Sequence, residues 1–365
     1  MIFYDITELY RFNKCSGIQK VTSEFLKFGL SNLGDQFVVC FLKDGQLFTV
    51  TVIVSPEGDI EGFEEIKAAP FPSAGDLYLM VDLCYNHGET EWGVIDSYKN
   101  HGVTVVAVLY DLIPVRHPEW FQGDAIGWFE EGDYLARFNL WLSYVRRYCD
   151  AIGCISEYVQ EDFRSLADSF PDPCPNTFSF LLGSSTYGLK RKNEFDSNDF
   201  ISVGTVEPRK GYSLLIDAFE RLWRDGDDVR LVIVGKKGWL VDALCERIQM
   251  HREYGKRLLW LADASDDELL ARYRRASGFI SLSENEGFGL PVIEAAALGL
   301  PVILRDTPIY REVGVGFAAY VQDVAAVVER VREIQRGDLK GCNSSENIRS
   351  WEYCADRFYS KLSKL

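Results

Sequence analysis

The sequence has little histidine and methionine and lacks a paired-cysteine motif. Only 4 His and 3 Met occur among 365 residues, and none of the 9 Cys falls in a C-x-x-C pair. An odd number of unpaired cysteines argues against a disulfide framework, and the shortage of His argues against a structural zinc site. We therefore expect buried free thiols in a reducing compartment and no metal requirement.

A leader segment and long apolar runs are also missing. The chain starts Met1-Ile2-Phe3-Tyr4-Asp5, without the basic stretch and apolar run of a signal peptide. No apolar run approaches the ~20 residues that span a bilayer. These absences predict a cytoplasmic protein, and they leave open weak peripheral association with the inner face of a membrane.

Positive charge is scarce in the first half of the chain. Through Lys190 there are 13 Lys and Arg against 27 Asp and Glu, whereas the remainder has 26 against 28. The acidic half should repel polyanions, so nucleic acid is not an expected partner. The nearly neutral second half can present a local basic site to one phosphate-bearing ligand.

The length and the rhythm of the chain predict two α/β domains. Apolar runs of strand length alternate with amphipathic stretches of helix length, which is typical of parallel sheets. A small-residue stretch from Gly183 to Gly188 precedes a polar segment that suits a linker. We predict domains at 1–188 and 189–345, followed by a helix at 346–365 that packs on something through Trp351, Cys354, Phe358 and Leu362.

The expected elements cover both halves. In the first half, strands are predicted at 36–42, 47–54, 76–81, 103–110 and 151–156, and helices at 17–33 and 132–148. In the second half, strands are predicted at 200–203, 230–234, 258–261, 278–282 and 301–304, and helices at 212–224, 240–254, 266–275 and 291–298.

The strongest chemical signal runs from Ser283 to Ala297. A buried strand is followed by a glycine-rich loop with Gly287, Phe288, Gly289 and Leu290, and Pro291 suits the first turn of the next helix. Such a unit offers a helix N-terminus to an anion. Glu286 on the loop and Glu294 on the helix would bring two carboxylates, which accept hydrogen bonds from sugar hydroxyls, to one sheet edge.

That string resembles the E-x7-E motif of family 4 glycosyltransferases, including the Gly, Phe, Gly, Leu and Pro between the two Glu. A second segment, Val203 to Gly211, is similar to the family's "VGxxEPRKG" stretch, whose basic residues contact the donor diphosphate. Arg209 and Lys210 match those basic residues, while Gly204 stands where many members carry an Arg. Lys236 lies in a "GKKGW" stretch similar to that of mannosyltransferase-like members, although solvated lysines there are the commoner case.

The first half carries weaker similarities to the same family. Ser16 and Gly17 open a helix and resemble its "SGIxR" loop. Tyr110 and Asp111 end a strand in a stretch similar to "HDLIPxxHPEYF", with Tyr110 in place of the usual His. A phenol has a much higher pKa than an imidazole, so Tyr110 is expected to line the site and form hydrogen bonds rather than to act as a base. Asp111 is a catalytic candidate, or alternatively a helix cap.

An aromatic-rich stretch has no assigned role. It is expected either to pack a helix on the sheet or to provide a platform for a sugar, with insertion into a membrane as a third option. Its nine aromatic residues are Trp120, Phe121, Trp128, Phe129, Tyr134, Phe138, Trp141, Tyr144 and Tyr148.

The resemblance implies a GT-B fold, with two Rossmann-like doubly wound parallel-sheet domains facing a central cleft and the C-terminal helix 346–365 packing back on the N-terminal domain. It implies a retaining glycosyltransferase that uses a nucleotide diphosphate sugar, GDP-mannose being favoured. The acceptor implied is a glycan or lipid-linked glycan in surface polysaccharide synthesis. Glu286 and Asp111 are the catalytic candidates, and the oligomeric state is left open.

Proteins of other classes fit the sequence less well. A catalytically silent GT-B protein that binds a nucleotide sugar is the main alternative. A phosphorylase would need a longer chain, and an epimerase would lack the glycine-rich E-x7-E string. An NAD-dependent enzyme is disfavoured because no G-x-G-x-x-G follows a strand.

Overall fold

The computed structural model divides the chain into two compact units. It describes residues 1–11, 16–56, 58–121, 134–167, 174–189, 197–341 and 347–365. Unit 1 comprises Met1–Val115, Gly132–Leu182 and Trp351–Leu365, and unit 2 comprises Arg116–Glu131 and Gly183–Ser350. The last helix therefore belongs to the first unit although it lies at the end of the chain.

Unit 1 is built on an eight-stranded sheet. Its strands are β1 Ile2–Asp5, β2 Phe37–Lys43, β3 Gln46–Val54, β4 Ile60–Ala68, β5 Leu77–Met80, β6 Thr104–Leu109, β7 Ala151–Cys154 and β8 Asn176–Ser179. Their order is β4-β3-β2-β1-β5-β6-β7-β8, and the pairs β2–β3 and β3–β4 are antiparallel while the others are parallel. Asp44 and Gly45 both have positive φ in the two-residue turn between β2 and β3, as a tight hairpin requires.

Unit 2 is built on a six-stranded sheet in which every pairing is parallel. Its strands are β9 Asp199–Val203, β10 Arg230–Val234, β11 Leu258–Leu261, β12 Gly278–Ser281, β13 Val302–Arg305 and β14 Ala318–Val321. The order is β11-β10-β9-β12-β13-β14. The chain therefore adds β10 and β11 on one side of β9 and then β12, β13 and β14 on the other side, so the strand order reverses between β9 and β12. Ligands of open α/β sheets bind at such a point, outside the carboxyl ends of the strands.

Helices connect the strands and cover the sheets. They are α1 Thr7–Arg11, α2 Gly17–Asn32, α3 Glu89–Asn100, α4 Ile113–Arg116, α5 Tyr134–Tyr148, α6 Glu157–Ala167, α7 Tyr212–Asp225, α8 Asp242–Gln249, α9 Asp266–Arg275, α10 Leu290–Ala297, α11 Pro308–Val313, α12 Val324–Arg336 and α13 Trp351–Leu362. Among the described residues, none of these helices is long and apolar enough to cross a membrane.

The last helix, α13, packs on α2 within unit 1. The Tyr359 hydroxyl donates a hydrogen bond of 3.0 Å to the carbonyl oxygen of Phe25. The rings of Phe25 and Phe358 lie 4.8 Å apart, and all four apolar positions singled out by their spacing are buried. Burial of this aromatic face holds the chain terminus against a helix more than 300 residues earlier in the chain.

The structure departs from the predicted elements in a few places. Helix α8 is shorter than the predicted 240–254, because Leu240 has φ 54° and Met250 caps the helix before a turn. The sequence did not predict β4, whose residues are mostly exposed and therefore lack a buried face that alternation would reveal. It also did not predict β1, β8, β14, α1, α3, α4, α6, α11 or α12.

The aromatic-rich stretch is divided between the two units. On α5, Phe138 and Trp141 are buried, and the rings of Tyr144 and Tyr148 lie 5.3 and 5.9 Å from that of Trp92. In unit 2, the indole nitrogen of Trp239 donates to the carbonyl oxygen of Trp120 at 2.6 Å. Trp128 and Phe129 lie outside the described residues. The α5 aromatics therefore pack inside unit 1.

Candidate functional site

Two loops of unit 2 meet at the carboxyl ends of β9 and β12. The loop after β9 contains a short 3-10 turn, Pro208–Lys210, and ends at Gly211 with φ 69°. A Cβ atom at Gly211 would lie 2.2 Å from the carbonyl oxygen of Leu282, so only glycine permits this approach. The amide of Glu284 donates to the carbonyl oxygen of Arg209 at 2.7 Å, which fastens the two loops together.

The meeting of these loops assembles a four-residue ion cluster, which consists of Glu207, Arg209, Lys210 and Glu286. Arg209 places Nη1 2.7 Å from Glu286 Oε2 and Nη2 2.7 Å from Glu207 Oε1. Lys210 Nζ lies 2.5 Å from Glu286 Oε1. Both cations are thus neutralised by carboxylates. A bound anion must therefore compete with Glu286 for them or approach their remaining N–H groups.

The ion cluster is shielded from water. The side chains of Arg209 and Lys210 are 16% exposed, that of Glu286 10% and that of Glu207 4%. Arg209 Nη1 also donates to the carbonyl oxygen of Asn285 at 2.7 Å, which fixes the plane of the guanidinium. Charge pairs in such surroundings are screened less by solvent and salt than pairs on the surface.

The surrounding charges set the pKa of Glu286. Burial by itself would raise the pKa of this carboxyl, but the attraction of Arg209 and then of Lys210 outweighs burial and lowers the pKa to about 2. Glu286 is therefore ionised across the physiological range. It can accept hydrogen bonds but has no proton to donate.

Because the pKa of Glu286 falls from an ordinary 4.5 to about 2, acid should weaken unit 2 in a defined window. The stabilising contribution is complete above pH 4.5 and is lost as the pH falls towards 2. We expect Glu286→Gln to remove about 3 kcal/mol of pH-dependent stability over this window. Urea unfolding of both proteins at several pH values measures it. The expectation would be contradicted if the free energy of unfolding depended on pH in the same way in both proteins.

The glycine-rich loop leads from Glu286 into α10. Gly289 has φ 98° at the N-cap of this helix, where a side chain would be strained, and Pro291 occupies its first turn. Phe288 is 2% exposed and anchors the loop, while Gly287 is buried and Leu290 half-buried. The sequence predicted this strand, loop and helix with correct boundaries to within one residue.

Glu294 lies one turn inside α10 and is only 6% exposed. The hydroxyl of Tyr273 lies 3.5 Å from Glu294 Oε2, and Thr186 Oγ1 donates to the Glu294 carbonyl oxygen at 2.7 Å. The structure thus places the two motif carboxylates in one loop–helix unit with different partners.

Two further predicted residues border the loop after β9. The carbonyl oxygen of Gly204 accepts the Tyr212 hydroxyl at 2.7 Å, and a Cβ built on Gly204 would lie 3.5 Å from Lys210 Nζ. Gly204 therefore lies beside the ion cluster. Lys236 is exposed, and its carbonyl oxygen accepts the amide of Val206 at 2.8 Å.

The predicted residues of the first half lie in unit 1. Ser16 is the exposed N-cap of α2 and its hydroxyl contacts Gln19, while Gly17 is exposed. Tyr110 is 5% exposed and donates to the carbonyl oxygen of Val81 at 2.9 Å. Asp111 Oδ1 accepts the amide of Ile113 at 3.0 Å, so it holds the turn into α4. Its catalytic role stays a prediction.

Some charged side chains in each unit were not predicted from the sequence. Glu207 stands inside the quoted motif, yet its pairing with Arg209 was not foreseen because motif spacing does not show ion partners. In unit 1, a buried acidic region at the ends of β1 and β5 was also missed. Burial is the largest influence there, and it raises the pKa of Asp82 to about 6 and that of Glu8 to about 7.

Comparison with known proteins connects this site with a family. Residues 189–351 match the family described as glycosyl transferases group 1. The serotype-specific mannosyltransferase WbdA of Escherichia coli is 34% identical, over 99% of this chain and 46% of that protein. The O-antigen chain mannosyltransferase RfbU of Salmonella typhimurium is 29% identical, over 62% of this chain and 58% of that protein. The chain spans less than half the length of WbdA.

Solved structures share the fold at low sequence identity. Anabaena HepE in complex with UDP-glucose is 13% identical with a TM-score of 0.66, covering 100% of this chain and 99% of that one. Sucrose-phosphate synthase from Thermosynechococcus elongatus is 15% identical with a TM-score of 0.66, covering 100% and 98%. These likenesses, with two α/β units whose sheets are mainly parallel in unit 1 and wholly parallel in unit 2, confirm the predicted GT-B fold class.

Proposed function

Because residues 189–351 match the family of glycosyl transferases group 1, we propose that the chain transfers a hexose from a nucleotide diphosphate sugar. Mannose is the favoured sugar and GDP-mannose the favoured donor, since the relatives WbdA and RfbU are named mannosyltransferases. The acceptor proposed is a glycan or lipid-linked glycan of a surface polysaccharide. The observation that carries the proposal is the ion cluster at the carboxyl ends of β9 and β12.

The donor is proposed to bind the second domain, 189–345, and the acceptor the first, 1–188. Arg209 and Lys210 would contact the diphosphate, because a guanidinium fork and an ammonium beside a glycine-rich loop suit phosphate oxygens. Their partner Glu286 would then exchange its ion pairs for hydroxyls of the transferred sugar. This exchange keeps the charge of the site balanced as the donor enters.

Glu294 is assigned to the ribose hydroxyls of the donor. It is buried one turn inside α10, beyond the glycine-rich loop, and a carboxylate accepts hydrogen bonds from vicinal hydroxyls. Gly287, Phe288, Gly289 and Leu290 would offer backbone to the donor between the two Glu. Gly204 and Lys236 would border the same site.

In the reaction, the bond between the anomeric carbon and the donor phosphate oxygen breaks. A bond from an acceptor hydroxyl oxygen to that carbon forms on the same face, and a donor phosphate oxygen takes the hydroxyl proton. Arg209 and Lys210 stabilise the charge that develops on the departing diphosphate, and no metal is assigned to this step. Trapping a covalent sugar adduct on Glu286 or Asp111 would overturn this front-face scheme.

A donor screen tests the proposal. Binding and slow hydrolysis of GDP-, UDP- and dTDP-sugars are measured with the purified chain, and GDP-mannose is expected to bind most tightly. A preference for a UDP-sugar would change the proposed donor but would leave the proposed class, a glycosyltransferase that uses a nucleotide sugar, unchanged. Failure of every nucleotide sugar and nucleoside diphosphate to bind would overturn the proposal.

Replacing Glu294 by Gln should weaken donor binding by about 10- to 100-fold, because hydrogen bonds to a charged group are worth about 1.5–3 kcal/mol. The change keeps the shape of the side chain, so α10 should persist. Isothermal titration with the preferred nucleotide sugar measures the effect. Tyr273→Phe is the matched control, since it removes the hydroxyl 3.5 Å from Glu294 and leaves the carboxylate. If Tyr273→Phe weakens donor binding as much as the Glu294 variant does, the assignment of Glu294 to the ribose hydroxyls is contradicted.

A further inference from the structure

A second group of chemically active side chains lies buried in unit 1, where β1 and β5 end. The cluster consists of Asp5, Cys84 and His87, and one donor atom from each lies within 4.8 Å of the others. Asp5 is the last residue of β1 and pairs with Met80, the last residue of the adjacent parallel strand β5. Cys84 and His87 follow β5, so the topology brings all three to the same sheet edge.

His87 is buried without the partners that a buried imidazole normally has. It is 4% exposed, and neither ring nitrogen has a hydrogen-bond partner among the residues that the structure describes. Its ring meets that of Trp92 edge-on, with centroids 6.0 Å apart. A polar group buried without a partner costs about 1–3 kcal/mol, so an orphaned imidazole among donor atoms indicates a missing ligand.

The same region concentrates buried carboxyl groups. Asp5 is 1%, Asp82 3% and Glu8 6% exposed. Arg11 stands beside them, with Nη1 3.8 Å from Glu8 Oε1. Burial of several carboxyl groups is costly even with Arg11 beside Glu8, and a divalent cation among these side chains would offset that cost.

We propose that Asp5, Cys84 and His87 form a binding site for a divalent late transition-metal ion of the Zn²⁺ class. The donors are an oxygen, a sulfur and a nitrogen, a set that suits zinc and is foreign to magnesium or calcium. On binding, the Cys84 thiol loses its proton to solvent, and its thiolate and the Asp5 carboxylate balance the two positive charges. A fourth position is left for water or for the nearby Glu8.

The surroundings fit such a site. Asp5 is held in place by the Tyr78 hydroxyl, which donates to Oδ2, and by the Thr7 amide, 2.6 Å from Oδ1. Partners of this kind orient metal ligands. The donor atoms lie within 4.8 Å of one another, and tetrahedral bonds of about 2.0–2.3 Å require spacings shorter than that limit. The site lies in unit 1 and is independent of the proposed donor site in unit 2.

Cobalt(II) is the probe that tests this site, because it adopts zinc geometry and reports thiolate ligation in its spectrum. The full chain is treated with a chelator, freed of it, and titrated with Co²⁺. We expect one ion per chain and a near-ultraviolet thiolate-to-cobalt absorption band, which Zn²⁺ then abolishes by displacement. Absence of the band from the unaltered protein would overturn the proposal without recourse to any variant.

Variants assign the ligands. Cys84→Ser should lose the thiolate band, whereas Cys149→Ser, another buried cysteine of unit 1, should retain it. Tyr78→Phe should keep the band and weaken the affinity for Zn²⁺ by about 10- to 100-fold, as loss of a ligand-orienting partner does. Retention of the band in Cys84→Ser would contradict the assignment.

Discussion

Glu286→Gln is expected to lower kcat by about 10²- to 10³-fold while binding of the nucleoside diphosphate is kept or tightened. The proposed role of Glu286 is to hold the transferred sugar, and removing one preorganised polar partner of a transition state costs about this much. Binding should not suffer, because Glu286 now neutralises both Arg209 and Lys210. A neutral amide leaves these cations free for phosphate oxygens.

Transfer rates and diphosphate binding must be measured on the same preparation. Glu284→Gln is the matched control: it changes a Glu two residues away whose partner is Arg305, at 2.9 Å, on the surface. That variant should leave both quantities within about twofold, since exposed ion pairs contribute little. If Glu286→Gln lowers diphosphate affinity and leaves kcat intact, Glu286 is a binding residue and its proposed role is wrong.

Arg209→Ala is expected to destabilise unit 2 by about 3–5 kcal/mol and to abolish measurable donor binding. Arg209 contacts Glu286, Glu207 and the carbonyl oxygen of Asn285, all at 2.7 Å. Its removal leaves buried carboxylates short of a partner, which is the costly way to break a buried ion pair. Urea unfolding and titration with the nucleoside diphosphate measure the two effects.

Three further variants separate charge from geometry at Arg209. Arg209→Lys keeps the charge but lacks the planar fork that reaches both Glu207 and Glu286, so it should restore stability only in part. The double variant with Glu286→Gln should be less destabilised than the two single changes together. Arg305→Ala, which breaks a surface pair, should change stability by less than about 0.5 kcal/mol. Strict additivity in the double variant would show that the pair does not act as a unit.

Part of the site was predictable because it is local in sequence. The strand before Ser283, the glycine-rich loop and α10 follow one another along the chain, and glycine, proline and helix periodicity specify such a unit. The motif also placed Arg209 and Lys210 at the end of β9. The side-chain partners were not predictable, since Lys210 and Glu286 are 76 residues apart.

The proposed metal site is a clearer case of an arrangement that the sequence does not predict. Scarce histidine and the lack of C-x-x-C pairs led to an expectation of no metal requirement. Cys84 and His87 do form a C-x-x-H pair, but their third partner, Asp5, lies about 80 residues earlier and becomes a neighbour only because β1 pairs with β5. The spacing of residues along the chain does not predict that β1 pairs with β5.

The sequence by itself determined the class of fold, the positions of most central strands and the loop–helix unit that carries Glu286 and Glu294. These follow from burial periodicity and from backbone conformations that only glycine and proline favour. Only the tertiary structure decided that two carboxylates neutralise Arg209 and Lys210, that α13 returns to α2, and that His87 is buried beside Asp5 and Cys84. Such arrangements depend on which distant strands lie side by side, a choice made by packing of the whole sheet and not by any segment alone.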